Sequence, residues 1–338
     1  MKKIFIRSPY FIQVNEANQL GSKVELYLYS KSDGVPILPT YTLSKKIASN
    51  TQRENTYNIA NYAKEFIKPI KTYTTTLPAE EDELTWCYCV VKRYTELTLN
   101  TYTLLSTETF VCLNGYTDYL GGYNNSETAD VLPLFNTGIK KYVKDFTTSY
   151  VNVFFEVGSY DIDNDITVYP FTVTEASMYR ILLSNNVVKI SKDGVGELYE
   201  LNPEQLCEPK YTPITCTFIN RFGGWEFLTF FKANLQSIET TNKDFNLLPS
   251  SINYNVFQGQ KRTFNQQGKQ KIKCNTGWVD ENYFDLIQDL LMSEVVLLDN
   301  KPAVVKSTSS DYKTNLKDKN INYEIEFEFN YGLINDVI

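Results

Sequence analysis

The stretch ITCTFINRFGGWEFLTFFKA, Ile214 to Ala233, reads as two β-strands joined at Gly223-Gly224, and it is apolar on both faces. Side chains alternate along a strand, so Trp225, Phe227 and Phe231 point one way while Leu228 and Phe230 point the other. A half-solvated hairpin is oily on one face only. This hairpin must be covered twice, by another layer of the same chain or by another chain. Phe222, Trp225, Phe227, Leu228, Phe230 and Phe231 are therefore candidates for a subunit interface.

Period-two runs recur along the chain. KVELYLYS, TWCYCVVKRYTELTL and TYTLLSTETFVCLNGY, with turn signals between them, predict an N-terminal β-sandwich. The 25 Tyr and 20 Phe lean the same way, because aromatic side chains favour strands. One helix is inserted, at NIANYAKEFIKP. Its stripe is Ile59, Tyr62, Ala63, Phe66 and Ile67, with Asn58 as N-cap and Pro69 as stop. GYTDYLGGYNNSETAD lacks apolar runs, which places a boundary there. The expected organisation is a β-sandwich domain over 1–125 and a second β-rich domain over 126–338, of which about 212–338 forms a C-terminal α+β assembly module.

Within that module QGQKRTFNQQGKQKIKCNTGW is expected to fold back as a hairpin near Asn265 to Gly268. WVDENYFDLIQDLLMSE predicts a helix capped by Asp280, with the stripe Tyr283, Leu286, Ile287, Leu290 and Leu291. INYEIEFEFNY predicts a strand with Ile321, Tyr323, Ile325, Phe327, Phe329 and Tyr331 on one face. Glu324, Glu326 and Glu328 fall on the other, where Lys269, Lys271 and Lys273 share their spacing and can pair with them.

Chemistry finds little purchase here. The absence of histidine excludes Ser–His, Cys–His and His–metal arrangements. Asp161, Asp163 and Asp165 resemble a calcium loop, but Ile166 and Thr172 stand where such a loop needs Gly and Glu, so they read as a solvated turn. Gly194-Val-Gly196 reads as a hairpin turn. Cys87, Cys89, Cys112, Cys207, Cys216 and Cys274 read as reduced core residues rather than disulfides or zinc ligands. No catalytic, cofactor-binding or metal-binding residue is assigned, and no cofactor is expected.

A net charge of −7 makes the whole chain a poor partner for nucleic acid. Its one basic cluster is Lys261, Arg262, Lys269, Lys271 and Lys273. The first reading of that cluster is a charged guard on an edge strand, and the second is contact with an acidic partner. MKKIFIRSPYF lacks the apolar core of a signal peptide, and no stretch is long enough to span a bilayer, so a cytoplasmic, soluble product is expected.

FINRFGGWEFLTFFK, NTGWVDENYFDLIQDLLMSEVVLL, KPAVVK and INYEIEFEFNYGLIND together resemble a module of virion proteins in tailed phages of Bacteroidota, including crAss-like phages. SPYFIQV, PTYTLSK, YNIANYAKEFI and LNGYTDYLGGYN are similar to the sandwich domain that precedes it. The resemblance implies a non-enzymatic structural component of a phage tail, a tail hub, ring or connector, in a cyclic assembly around the DNA conduit. Its implied partners are copies of itself in a ring and other tail or portal-proximal proteins. DNA passes nearby without specific nucleic-acid binding, and no membrane is involved. The implied location is the virion tail, after assembly in the host bacterial cytoplasm. The alternative is a receptor- or carbohydrate-binding tail adsorption module, for which Trp225 and Trp278 would have to line an exposed groove.

Overall fold

A computed structural model describes residues 1–48, 54–71, 78–80, 84–146, 149–205, 210–247, 257, 259–307 and 320–333. The protein is mainly β, with two α-helices among the described residues. It divides into two compact units. The first comprises Met1–Leu206, Phe218–Leu228 and Met292–Glu294, and the second comprises Cys207–Thr217, Thr229–Leu291 and Val295–Ile338. The expected boundary at 125/126 lies inside the first unit.

The first unit is layered around a six-stranded sheet in the order Tyr41–Lys46, Gly21–Tyr29, Trp86–Thr98, Thr101–Leu113, Lys2–Phe5, Ser126–Glu127. On one face Val24, Leu26, Leu28, Cys87, Cys89 and Phe110 lie beneath a ribbon of Phe11–Asn15 and Glu54–Asn58 and the helix Ala60–Phe66. Ile59, Ala63 and Ile67 of the helical stripe are buried, with Tyr62 and Phe66 half-buried beside them. Asn58 ends the preceding strand and the N-cap position falls to Ile59, yet the Asn58 side chain still accepts the Ala60 N–H at 3.2 Å, relieving one of the unpaired donors of the first turn.

On the other face Phe5, Trp86, Tyr88, Val111 and Leu113 pack on Leu134, Phe154, Ala176 and Met178. The Tyr88 hydroxyl donates to the Ala176 carbonyl. Phe154 belongs to a second sheet, in the order Val131–Pro133, Tyr150–Phe155, Ser177–Leu182, Ala79–Glu80. The far side of that sheet carries Val151, Val153, Phe155 and Ile181. They pack on Tyr160, Ile162, Val173 and Ile190 of a third sheet, Val168–Val173, Gly158–Asp163, Val188–Lys192, Gly196–Leu201. All six residues of Tyr150–Phe155 are consequently buried, which is why YVNVFF is so nearly apolar throughout. Asp161 and Asp163 lie on a strand of the third sheet, and Asp165 occupies the adjoining turn at φ 64°. The Gly194 turn forms as read, at φ 75°.

The opening hairpin consists of strands Ile214–Ile219 and Trp225–Phe230, and its tip, Phe218–Leu228, belongs to the first unit. Gly223 has φ 86°, and a Cβ there would meet the Asn114 backbone at 2.7 Å, so only glycine fits. The Asn220 side chain accepts the Phe222 N–H at 3.0 Å, and the Asn152 side chain accepts the Trp225 N–H at 2.9 Å. Buried Glu226 takes the Lys141 ammonium at 2.6 Å and the N–H groups of Asn136 and Phe227. Trp225, Phe227, Leu228, Phe230 and Phe231 are all buried by the chain itself, and Phe222 is half-buried. The second apolar face has found cover within its own chain. In this fold five of the six candidate interface residues offer no open surface to a second copy, and only Phe222 keeps part of its ring exposed.

Lys141 and Glu226 are a buried pair, so removing one partner strands a charge. Lys141→Met should cost about 3–5 kcal/mol in chemical denaturation. Adding Glu226→Gln, which keeps an acceptor for the two N–H groups, should recover much of that loss.

Cys87, Cys89, Cys112, Cys216 and Cys274 are free thiols and buried, whereas Cys207 lies outside the described residues. Burial pushes the Cys274 thiol up to about 12, and contacts with Cys87 and Cys89 push Cys112 up. All five are shielded by burial, so they should resist a thiol reagent in the native protein at about pH 8 and react fully once it is denatured. Fast native labelling of any of them would contradict the packing.

Candidate protein-interaction arm

The second unit holds most of a seven-stranded sheet, in the order Trp225–Phe230, Ile214–Ile219, Val296–Leu298, Lys301–Val305, Glu324–Phe329, Lys261–Asn275, Leu235–Asn246. Its helix, Tyr283–Leu291, buries Tyr283, Leu286, Ile287 and Leu290. Asp280 does not cap this helix. It sits in the short strand Val279–Asp280, paired with Asn320–Ile321, and a turn intervenes before Tyr283. Along the C-terminal strand Ile321, Tyr323, Ile325, Phe327 and Phe329 are buried, while Tyr331, beyond the strand end, is exposed.

Two of the three glutamates on the opposite face, Glu324 and Glu328, meet the expected bases, and Glu326 forms no ion pair among the described residues. Lys273 pairs with Glu324 at 2.6 Å and Lys269 with Glu328 at 3.1 Å, and Lys306 also approaches Glu328. Burial opposes ionisation of Glu328, but the bonds from Lys269 and Lys306 outweigh it and hold the carboxyl below its ordinary value. Lys271 turns the other way along the sheet and pairs with Glu239 at 2.6 Å.

Lys261–Asn275 does not fold back at Asn265 to Gly268. It is one strand of 15 residues, paired antiparallel with Leu235–Asn246. Thr241 faces Gln267 and Lys243 faces Phe264, so Asn265 and Gln266 together oppose Asn242. This is a β-bulge, and Asn265 supplies its left-handed residue at φ 49°. Gly268 serves a different purpose. A Cβ there would lie 2.9 Å from the Leu333 side chain, and the Leu333 N–H donates to the Gly268 carbonyl at 3.0 Å. Both turn-like residues are thus used inside a continuous strand.

The long strand pairs with Glu324–Phe329 only through Lys271 to Asn275. Farther out, among the described residues, it has the Leu235–Asn246 strand as its one ladder partner. Every residue of Leu235–Asn246 is exposed, as is every residue from Lys261 to Gln267. A two-stranded arm therefore stands bare on both faces, over roughly 20 Å at about 3.3 Å per residue.

Directly opposed residues of an antiparallel pair share a face. Phe245 lies opposite Arg262 and Lys243 opposite Phe264, which puts two cations and two rings on one face of the distal arm. The two rings meet edge to face with centroids 5.6 Å apart, and each remains more than 40% exposed. Asp244, Thr263, Asn246 and Lys261 occupy the reverse face. Among the described residues Lys243, Lys261 and Arg262 form no ion pair.

The basic cluster read from the sequence thus divides in two. Lys269, Lys271 and Lys273 are engaged with carboxylates of their own unit, and Lys261 and Arg262 are not. Lys243 and Phe245 escaped notice, because LQSIETTNKDFN shows no apolar alternation to mark it as a strand. Among the described residues no group of three His, Cys, Asp or Glu side chains could hold a metal ion, and no helix is long and apolar enough to cross a membrane. No protein-family model matches the chain, and no curated protein matches it.

Phe327 is fully buried and meets Phe230 edge to face at 5.7 Å. Phe327→Asp should abolish folding of the second unit, because a buried unpaired carboxylate costs several kcal/mol. Glu326→Gln should leave its circular-dichroism melt within about 2 °C of the parent, as expected for a surface change.

Proposed function

We propose that this chain is a non-enzymatic structural component of a tailed-phage tail, a hub, ring or connector subunit that works within a multi-copy assembly around the DNA conduit. The observation that carries this reading is the arm Leu235–Asn246/Lys261–Gln267, bare on both faces. A two-stranded ribbon is marginally stable alone in water, and a partner that covers it supplies the missing contacts. The resemblance of both ends of the chain to virion proteins supplies the phage setting.

One observation favours the adsorption reading. Trp278 is 65% exposed, a geometry suited to stacking on a sugar ring. Trp225 and Trp86 are buried and cannot serve. Peptide mass spectrometry of purified, fractionated phage particles tests the main reading. The protein should be found in the tail fraction at a constant copy number above one per particle. Its absence from intact particles would remove the proposal, and binding on a glycan array that is lost in Trp278→Ala would favour the alternative.

A further inference from the structure

We propose that the distal face of the arm, formed by Lys243, Phe245, Arg262 and Phe264, docks on the acidic body of a second copy of this chain. The inference rests on the assembly reading above and names the surface and the partner through which assembly proceeds. The face has the composition of a binding hot spot, with two solvent-exposed rings flanked by Lys243 and Arg262, neither of them in an ion pair among the described residues.

Charge identifies the occupant. With Lys269, Lys271 and Lys273 already paired with Glu328, Glu239 and Glu324, the arm keeps Lys243, Lys261 and Arg262 against Asp244, a net +2 in a chain of net −7. The remainder of each copy therefore carries −9. An arm approaching the body of another copy is attracted, whereas two arms approaching each other are repelled. That opposes the otherwise simple route of joining two exposed Leu235–Asn246 edges into one sheet. The contact is accordingly heterologous. Each copy gives an arm and receives one, and the series closes into a ring if the rotation permits. Single-stranded nucleic acid also takes rings and cations, but it would meet two cations here on a chain whose overall charge repels it.

The test uses the full chain in sedimentation velocity from about 1 to about 100 µM, the range of weak to moderate contacts. Runs at about 50 mM and about 500 mM salt separate electrostatic from apolar attraction. The parent should associate at low salt and do so less at high salt. Lys243→Glu/Arg262→Glu and Phe245→Ser/Phe264→Ser should each weaken association about tenfold or more. Lys261→Glu, on the reverse face, should weaken it far less. All these positions are exposed, and unchanged melting curves confirm that the fold is kept.

A parent that stays monomeric at low salt would overturn the proposal. Arm variants that associate like the parent, or a Lys261→Glu variant as weak as the double charge reversal, would do the same. Submicromolar binding of a single-stranded oligonucleotide, lost in Lys243→Glu/Arg262→Glu, would assign the face to nucleic acid instead. A monomeric chain that is nevertheless found in purified tails removes this contact and spares the tail reading. Arm-dependent association of a chain missing from particles does the reverse.

Discussion

The strand Tyr150–Phe155 has no solvent face, and most of the first unit follows from that. A sheet buried on both sides needs two covering layers, and this chain provides them with the six-stranded sheet and the 158–201 sheet. Burial at that depth leaves no water for polar groups, so each must be answered from within. Asn152, the one polar residue of the strand, accepts the Trp225 N–H and helps hold the hairpin tip. Glu226 on the tip is answered by Lys141. Lys3 is equally buried and is answered by Glu156 and the Ala129 carbonyl. These polar links join residues far apart in the chain, and they orient layers that apolar contact alone would let slide.

Legibility tracked how local the determining physics was. The register of INYEIEFEFNY follows from strict alternation over a few residues, and its buried and paired faces are those the sequence implies. The helical stripe over Tyr283–Leu290 is local in the same sense. The 125/126 boundary rested on loop composition. Yet Ser126–Glu127 adds to the N-terminal sheet and Phe154 packs beneath it, so long-range pairing overrides the composition signal. The doubly apolar hairpin posed a sound question, but its answer lay in a covering layer some 70 residues upstream, as the Asn152–Trp225 separation of 73 shows. No local pattern could distinguish that layer from a neighbouring subunit.

The arm was harder to read because two of its signals were ambiguous. Asn and Gly are turn formers, but they also serve bulges and close approaches, and Asn265 and Gly268 do the latter. The basic residues likewise mix two purposes. Lys269 and Lys273 neutralise glutamates of the next strand, and Lys271 neutralises Glu239 across the arm. Arg262 and Lys261 lie beyond the reach of those carboxylates. Spacing in the sequence could identify the engaged lysines, and only the pairing with Leu235–Asn246 brings Lys243 and Phe245 beside Arg262 and Phe264.

The bulge at Asn265 and Gln266 acts as a phase shifter. Below it, the odd-numbered residues of the long strand, Lys269, Lys271 and Lys273, share a face with Glu239. Above it, the even-numbered Arg262 and Phe264 occupy that same face, because the extra residue reverses the parity of one strand while the other keeps its own. One inserted residue thus lines up cations from both halves of the arm on a single side. Sequence drift in this segment is constrained accordingly. A single-residue gain or loss on either strand must be matched by a second one, or the outer rings turn to the wrong side with the composition almost unchanged.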